Sequence, residues 1–153
     1  MKRKCTLLLT IFLASAIFIH AQNTAHEIEA LLETSAVTYS QAARFVLEAS
    51  SQAILNDRDE AFEFARNGGF LPANVTQDSI ARLDGISYLL LNCFGLKGGA
   101  MYTMTRSPHY AYRELVHKNI IQGRVLGSMP VSGDMLLFIT GRMLLHMETI
   151  SEN

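Results

Sequence analysis

A core helix is predicted by the stretch Ile80-Ala81-Arg82-Leu83-Asp84-Gly85-Ile86-Ser87-Tyr88-Leu89-Leu90-Leu91. Its apolar residues recur every three or four positions, the spacing that places side chains along one face of an α-helix. Arg82 and Asp84 lie away from that face. This is the longest clear helical pattern in the chain, so we expect the rest of the fold to be organised around it.

Two other segments repeat the pattern loosely. One is residues 37–47, with Val37 set on Ile80, and the other is residues 130–139, whose register is defined only to about one residue. Copies roughly forty to fifty residues apart are typical of repeat architectures. We therefore predict three pseudo-repeats in which one large side chain from each copy meets near the centre: Phe45, Tyr88, and Phe138 or Ile139.

The first 21 residues have the composition of an export signal. Basic residues occupy positions 2–4, an apolar run covers residues 7–19, and Ala21 provides a small residue before a cut at Gln22. The run is shorter than the roughly 20 residues that a membrane-spanning helix needs. We expect residues 1–21 to be a cleaved signal peptide and residues 22–153 to form one exported domain, in the periplasm or cell envelope. A retained N-terminal anchor is the alternative.

Charge and cysteine content limit the function of the exported part. The chain has 13 basic and 14 acidic residues, and three of the basic ones lie in the predicted signal peptide. Residues 22–153 therefore carry a formal charge of −4, which argues against nucleic acid as a partner. Cys93 is the only cysteine left, so no intramolecular disulfide is possible there. It follows three leucines and has no flanking His or Lys, so we expect a buried, unreactive thiol.

Helix signals along the chain predict an all-α domain of about six helices. We expect no stable transmembrane helix within it. Thr38 and Gln41 have the spacing of a capping box, Asn67-Gly68-Gly69 is a typical helix ending, and Ser107-Pro108 is a typical start. The predicted helices cover approximately residues 23–35, 38–53, 57–67, 80–94, 107–122 and 132–148. The helix at residues 80–94 is expected to have its cap at Thr76 or Asp78. Residues 100–105 are expected to be a loop in which a strand is not excluded.

The residue spacings that mark common catalytic and metal sites are absent from the sequence. His109 and His117 are eight residues apart on one predicted helix, too far to chelate one metal ion. Ser87 lies within a predicted helix and not on a glycine-flanked turn. The glycine-rich stretch 95–99 lacks the spacing of a phosphate-binding loop. We therefore predict no catalytic residue, no metal and no cofactor, and a protein that is not an enzyme.

The order of these segments resembles the S-layer homology module. That family's second helix usually opens with a motif close to Ile-Thr-Arg-Ala-Glu, and the central copy here is Ile80-Ala81-Arg82-Leu83-Asp84. The first copy is Val37-Thr38-Tyr39-Ser40-Gln41, and the third is the more eroded Val131-Ser132-Gly133-Asp134. The family's first-helix ending, Leu followed by Gly-Ile-Ile-x-Gly, is similar to Leu115 followed by residues 119–123. The aromatic residue, commonly Trp, that begins the family's first helix has no counterpart. The resemblance spans about residues 25–147 and rests on order and spacing, as expected of a degenerate copy.

The resemblance implies a compact, three-pronged, non-catalytic module that binds cell-wall glycan in grooves between the prongs. It assigns the motif Arg to Arg82, with Asp84, Thr38 and Gln41 as the other candidate ligand-binding residues. Arg presents a planar fork that pairs well with carboxylate or phosphate, and free amides at the helix start should help to hold the same anion. For Arg82, a surface salt bridge with Asp78 or with neighbours on the Ile86 side is the alternative. For the protein, we expect an exported envelope module that binds cell-wall glycan or an envelope protein. The alternative is a periplasmic structural or adaptor protein that binds a protein partner and has lost glycan binding.

Overall fold

The computed structural model describes residues 26–123 and 125–152, and the predicted signal peptide lies outside them. The described residues are all-helical, as predicted, with seven helices. Extended pairing among them is limited to two isolated antiparallel bridges, Thr38 with Ile80 and Arg82 with Pro130. The helices are α1 (residues 26–32), α2 (Tyr39–Ala49), α3 (Arg58–Asn67), α4 (Leu83–Cys93), α5 (Ala100–Thr105), α6 (Pro108–His117) and α7 (Gly133–Ser151).

Three backbone hydrogen bonds form a closed triangle at the centre of the fold. The amide of Val37 donates to the carbonyl of Val131 (2.8 Å), Val131 donates to Ala81 (3.0 Å), and Ala81 donates back to Val37 (2.8 Å). All three residues are fully buried, and each immediately precedes the N-cap of α2, α4 or α7. The three copies therefore meet as equivalent parts, which confirms the predicted pseudo-repeats.

A second set of bonds surrounds the triangle. Two residues beyond each of its members, the amides of Tyr39, Leu83 and Gly133 donate to the carbonyls of Ser79, Met129 and Thr34, at 3.1, 3.0 and 2.8 Å. Each donor is the first residue of its helix, where backbone amides lack an intrahelical partner. The start of each long helix is thereby tied to a neighbouring repeat.

The helices pack as pairs that join one repeat to the next. The helix α2 packs on α3, and α4 packs on α6. The start of α7 lies against α1, so closely that a Cβ atom at Gly133 would be only 1.6 Å from the carbonyl oxygen of Leu31. Glycine is required at this approach because any side chain would collide with backbone.

The predicted register of the repeats is wrong by one residue. The hydrogen-bonded triangle aligns Val37 with Ala81, whereas the sequence pattern aligned it with Ile80. The helix α4 begins at Leu83 with Arg82 as its N-cap, and not near Ile80 with a cap at Thr76 or Asp78. Residues 80–82 have the periodicity of a helix, but their backbone is extended because it pairs across the centre of the fold.

The predicted meeting of large side chains is also wrong in part. Ile139 is 3% exposed and belongs to the core, but Phe138 is 60% exposed. Phe45 and Tyr88 are only half-buried and pack against the edge of the core. The one-residue shift accounts for Tyr88 and Phe138, which become equivalent to Arg44, whereas Val46, Leu90 and Thr140 occupy equivalent buried positions. The shift does not explain Phe45, whose equivalents Leu89 and Ile139 are buried.

Residues 100–105 form the helix α5 and not the predicted loop. Tyr102 anchors this helix, because its side chain is buried and its hydroxyl donates to Oδ1 of Asn92 on α4 (3.0 Å).

The structure confirms the helix start and helix end that the local sequence signals predicted for α2 and α3. Thr38 and Gln41 form the capping box of α2, and Gly69 adopts a left-handed backbone (φ 70°) just after α3. Cys93 is buried as expected.

Candidate functional site

A wide cleft in the described part of the chain has a volume of about 1080 Å³. Its walls come from the segment between α3 and α4, the first turn of α4, and the junction of α5 and α6. Three arginines line it, Arg66, Arg82 and Arg106, and Asp84 is the only acidic residue in its lining. We call it the arginine cleft. It brings two of the predicted site residues, Arg82 and Asp84, together with two arginines that the sequence did not indicate.

Arg82 is held in the cleft by an ion pair with Asp84. Its Nη2 atom lies 2.8 Å from Oδ2 of Asp84, and the two side chains are 55% and 19% exposed. The other carboxylate oxygen, Oδ1, accepts a hydrogen bond from the amide of Gly85 (2.8 Å). A surface salt bridge, the alternative considered for Arg82, is thus present, but its partner is Asp84 and not Asp78. An ion pair this exposed is worth at most about 1 kcal/mol, so an anionic ligand could compete for the guanidinium.

The start of α4 does not supply free amides for an anion. Leu83 donates to Met129 (3.0 Å), Asp84 donates to Gly127 (2.8 Å), and Gly85 donates to the side chain of Asp84. The expectation that an anion would be held jointly by Arg82 and this helix end is therefore wrong. In an isolated helix these amides would be free to bind an anion, but here they are hydrogen-bonded, mainly to a neighbouring repeat.

A buried tyrosine forms the floor of the cleft beside Arg82. A Cβ atom at Gly85 would lie 2.0 Å from the hydroxyl oxygen of Tyr39, so only glycine allows this ring to sit under the first turn of α4. Burial raises the pKa of Tyr39, and a backbone hydrogen bond from Arg82 opposes that rise in part. The phenol therefore stays neutral and does not offset the positive charge of the cleft.

The other two arginines are positioned by separate elements. Arg66, at the end of α3, donates from Nη2 to the carbonyl of Val75 (2.9 Å) and stacks 4.7 Å above the ring of Phe62. Its contact with Glu63 is long, at 3.7 Å, and both side chains are about half exposed. Arg106 follows α5 and lies 5.6 Å from the ring centre of Tyr102.

The other predicted site residues, Thr38 and Gln41, lie outside the lining of the arginine cleft. Their polar atoms bond to each other, because the amide of Thr38 donates to Oε1 of Gln41 (2.9 Å) and the amide of Gln41 donates to Oγ1 of Thr38 (3.3 Å). Gln41 instead lines a separate cleft of about 200 Å³ beside α1, where Arg44 pairs with Glu27. The geometry gives these two residues a capping role.

Three further properties of the described residues bear on what the protein can do. Across residues 26–123 and 125–152, His, Cys, Asp and Glu side chains do not form a group of three or more that could hold a metal ion. Burial raises the pKa of the Cys93 thiol to about 12, so it is protonated at neutral pH. None of the helices in the described residues is both long and apolar enough to cross a bilayer.

Comparison of the chain with protein-family models, with curated proteins and with solved structures finds no match.

Proposed function

We propose that this protein is an exported, non-catalytic module of the cell envelope that binds anionic cell-wall glycan in the arginine cleft. The observation that carries the proposal is the charge of that cleft. It has three guanidinium groups and one carboxylate, and the carboxylate is already paired with Arg82. The cleft is therefore positively charged although residues 22–153 together carry a formal charge of −4.

The shape and remaining chemistry of the cleft suit a sugar. Its lining combines the arginines with apolar and aromatic surface from Leu71, Tyr88 and Pro108. The helix α6 begins in the same wall, and the side chain of its N-cap, Ser107, makes no capping bond. Arginine holds a carboxylate or phosphate by paired hydrogen bonds, while the apolar surface covers a sugar ring.

A pull-down with purified bacterial sacculi that retain their attached polymers tests the proposal. Wild-type protein should bind, and Arg82→Gln should weaken binding about tenfold, because it removes a charge-assisted contact and keeps most of the side chain. The matched control is Arg113→Gln on α6, an exposed arginine outside the lining of the cleft. Equal binding by wild type and Arg82→Gln would contradict the proposal.

Export has its own test, because it depends on residues 1–21. N-terminal sequencing of the native protein should find a chain that begins near Gln22 in the envelope fraction. Recovery of protein with Met1 intact from the cytoplasm would contradict export.

A second candidate function, an adaptor that binds an envelope protein, is favoured by the outer face of α7. Phe138 and Leu145 lie seven residues apart on this helix and are 60% and 64% exposed. Apolar side chains at that spacing share one helical face and are typical of a helix that meets a partner. If this function is correct, sacculi should not retain the wild-type protein, and a Phe138→Ser, Leu145→Ser variant should lose an envelope protein that co-purifies with wild type.

A further inference from the structure

The helix α5 is an addition to one of the three repeats. Residues 50–57 join α2 to α3 without a helix, whereas the equivalent connection between α4 and α6, residues 94–107, contains α5. The addition ends at Arg106, directly before the N-cap of α6. The end of α5 thus forms one wall of the arginine cleft, and the connection between α2 and α3 has no helix that could form an equivalent wall.

Arg106 lies on the ridge between two clefts. It lines the arginine cleft and also a neighbouring cleft of about 430 Å³, which we call the lysine cleft. That cleft is also lined by Lys97, by Asn92 and Thr103, and by the backbone of the glycines at 95 and 98. No acidic residue contributes to its lining.

The backbone holds Arg106 on this ridge in an unusual conformation. Its φ and ψ are 47° and 37°, a left-handed region that is strained for a residue other than glycine. The amide of Arg106 donates to the carbonyl of Tyr102 (2.7 Å), and its guanidinium lies over the same tyrosine ring. Strain of this kind persists where the surrounding structure imposes it, and it is common at binding sites.

We infer that the ligand is a linear chain with at least two anionic groups, which crosses the ridge at Arg106 from the arginine cleft into the lysine cleft. This inference rests on the proposed function and specifies its ligand. A single charged sugar would need one cleft only. Here four cationic side chains line two adjoining clefts: Arg66, Arg82 and Arg106 line the arginine cleft, and Lys97 lines the lysine cleft together with the shared Arg106, with Asp84 as the only carboxylate in either lining.

The experiment compares charge removal in the two clefts, with sacculi retaining their attached polymers as the probe. Arg106→Gln should weaken binding about tenfold, because it removes the contact shared by both clefts. Lys97→Gln should weaken it about two- to fivefold, as expected for one exposed ionic contact. Arg113→Gln should bind as wild type does. Arg106→Lys keeps the charge but not the paired hydrogen bonds, so it should bind more tightly than Arg106→Gln and less tightly than wild type, which separates loss of charge from loss of fold.

The outcomes separate this inference from the proposed function. If Lys97→Gln binds as wild type does while Arg82→Gln and Arg106→Gln are weakened, the ligand occupies one cleft, and only the inference fails. If Arg106→Gln is unaffected, the ridge carries no contact and the inference is also overturned. If wild-type protein does not bind at all, the proposed function fails and the inference fails with it.

Discussion

Two glycines on α7 should respond in opposite ways to the same substitution. At Gly133 an added Cβ atom would lie 1.6 Å from the carbonyl oxygen of Leu31, and this oxygen belongs to backbone that cannot rotate away. At Gly141, in the same helix, an added Cβ would meet no atom within 4 Å. Gly133→Ala should therefore force α1 away from α7, whereas Gly141→Ala should be accommodated without movement.

The magnitudes follow from these contacts. Overpacking typically costs about 1–3 kcal/mol. Displacing α1 also strains the hydrogen bond from the Gly133 amide to Thr34, worth about 1 kcal/mol. Gly133→Ala should thus lower the free energy of unfolding by about 2–4 kcal/mol. Gly141→Ala should raise it by about 0.5–1 kcal/mol, because alanine loses less backbone entropy in a helix.

Urea denaturation followed by circular dichroism at 222 nm measures both changes in the free energy of unfolding. The slope of that free energy against urea concentration is also informative, since a lower slope for Gly133→Ala would indicate that α1 has already detached in the native state. If Gly133→Ala is as stable as wild type, the result would contradict the packing of α1 against the start of α7.

Three further predictions concern the core. Leu90→Ala should lower the free energy of unfolding by about 2–5 kcal/mol, since the side chain is fully buried, and a loss below about 0.5 kcal/mol would place α4 outside the core. Thr140→Val should raise it by about 1 kcal/mol, because the Thr140 hydroxyl is buried without a hydrogen-bond partner; a loss of stability would mean that the hydroxyl is bonded in solution. Cys93, whose pKa burial raises from 9.0 to about 12, should not react with a disulfide reagent at pH 8 until urea unfolds the chain. The same shift means that the folded chain keeps a proton which the unfolded chain releases, so stability should fall as the pH rises above about 9, and less steeply in Cys93→Ala.

Local sequence signals predicted the features that depend on neighbouring residues. The capping box of Thr38 and Gln41, the glycine ending of α3 and the start of α6 after Ser107 each involve contacts within a few positions of the chain. The apolar periodicity around Leu83 and Leu90 likewise predicted a core helix, because that spacing reflects the turn of the helix itself. These signals were sufficient for the all-helical fold and for its three pseudo-repeats.

Tertiary structure decided where α4 begins and what its first turn can bind. The triangle of Val37, Ala81 and Val131 joins residues more than forty positions apart, and no local pattern encodes such bonds. The same long-range bonds occupy the helix-start amides that the sequence suggested for an anion. Likewise, Arg66 and Arg106 share a cleft with Arg82 only because α3 and α5 pack on either side of it. The sequence by itself determined which segments are helical, whereas closure of the three repeats determined which charges face one another.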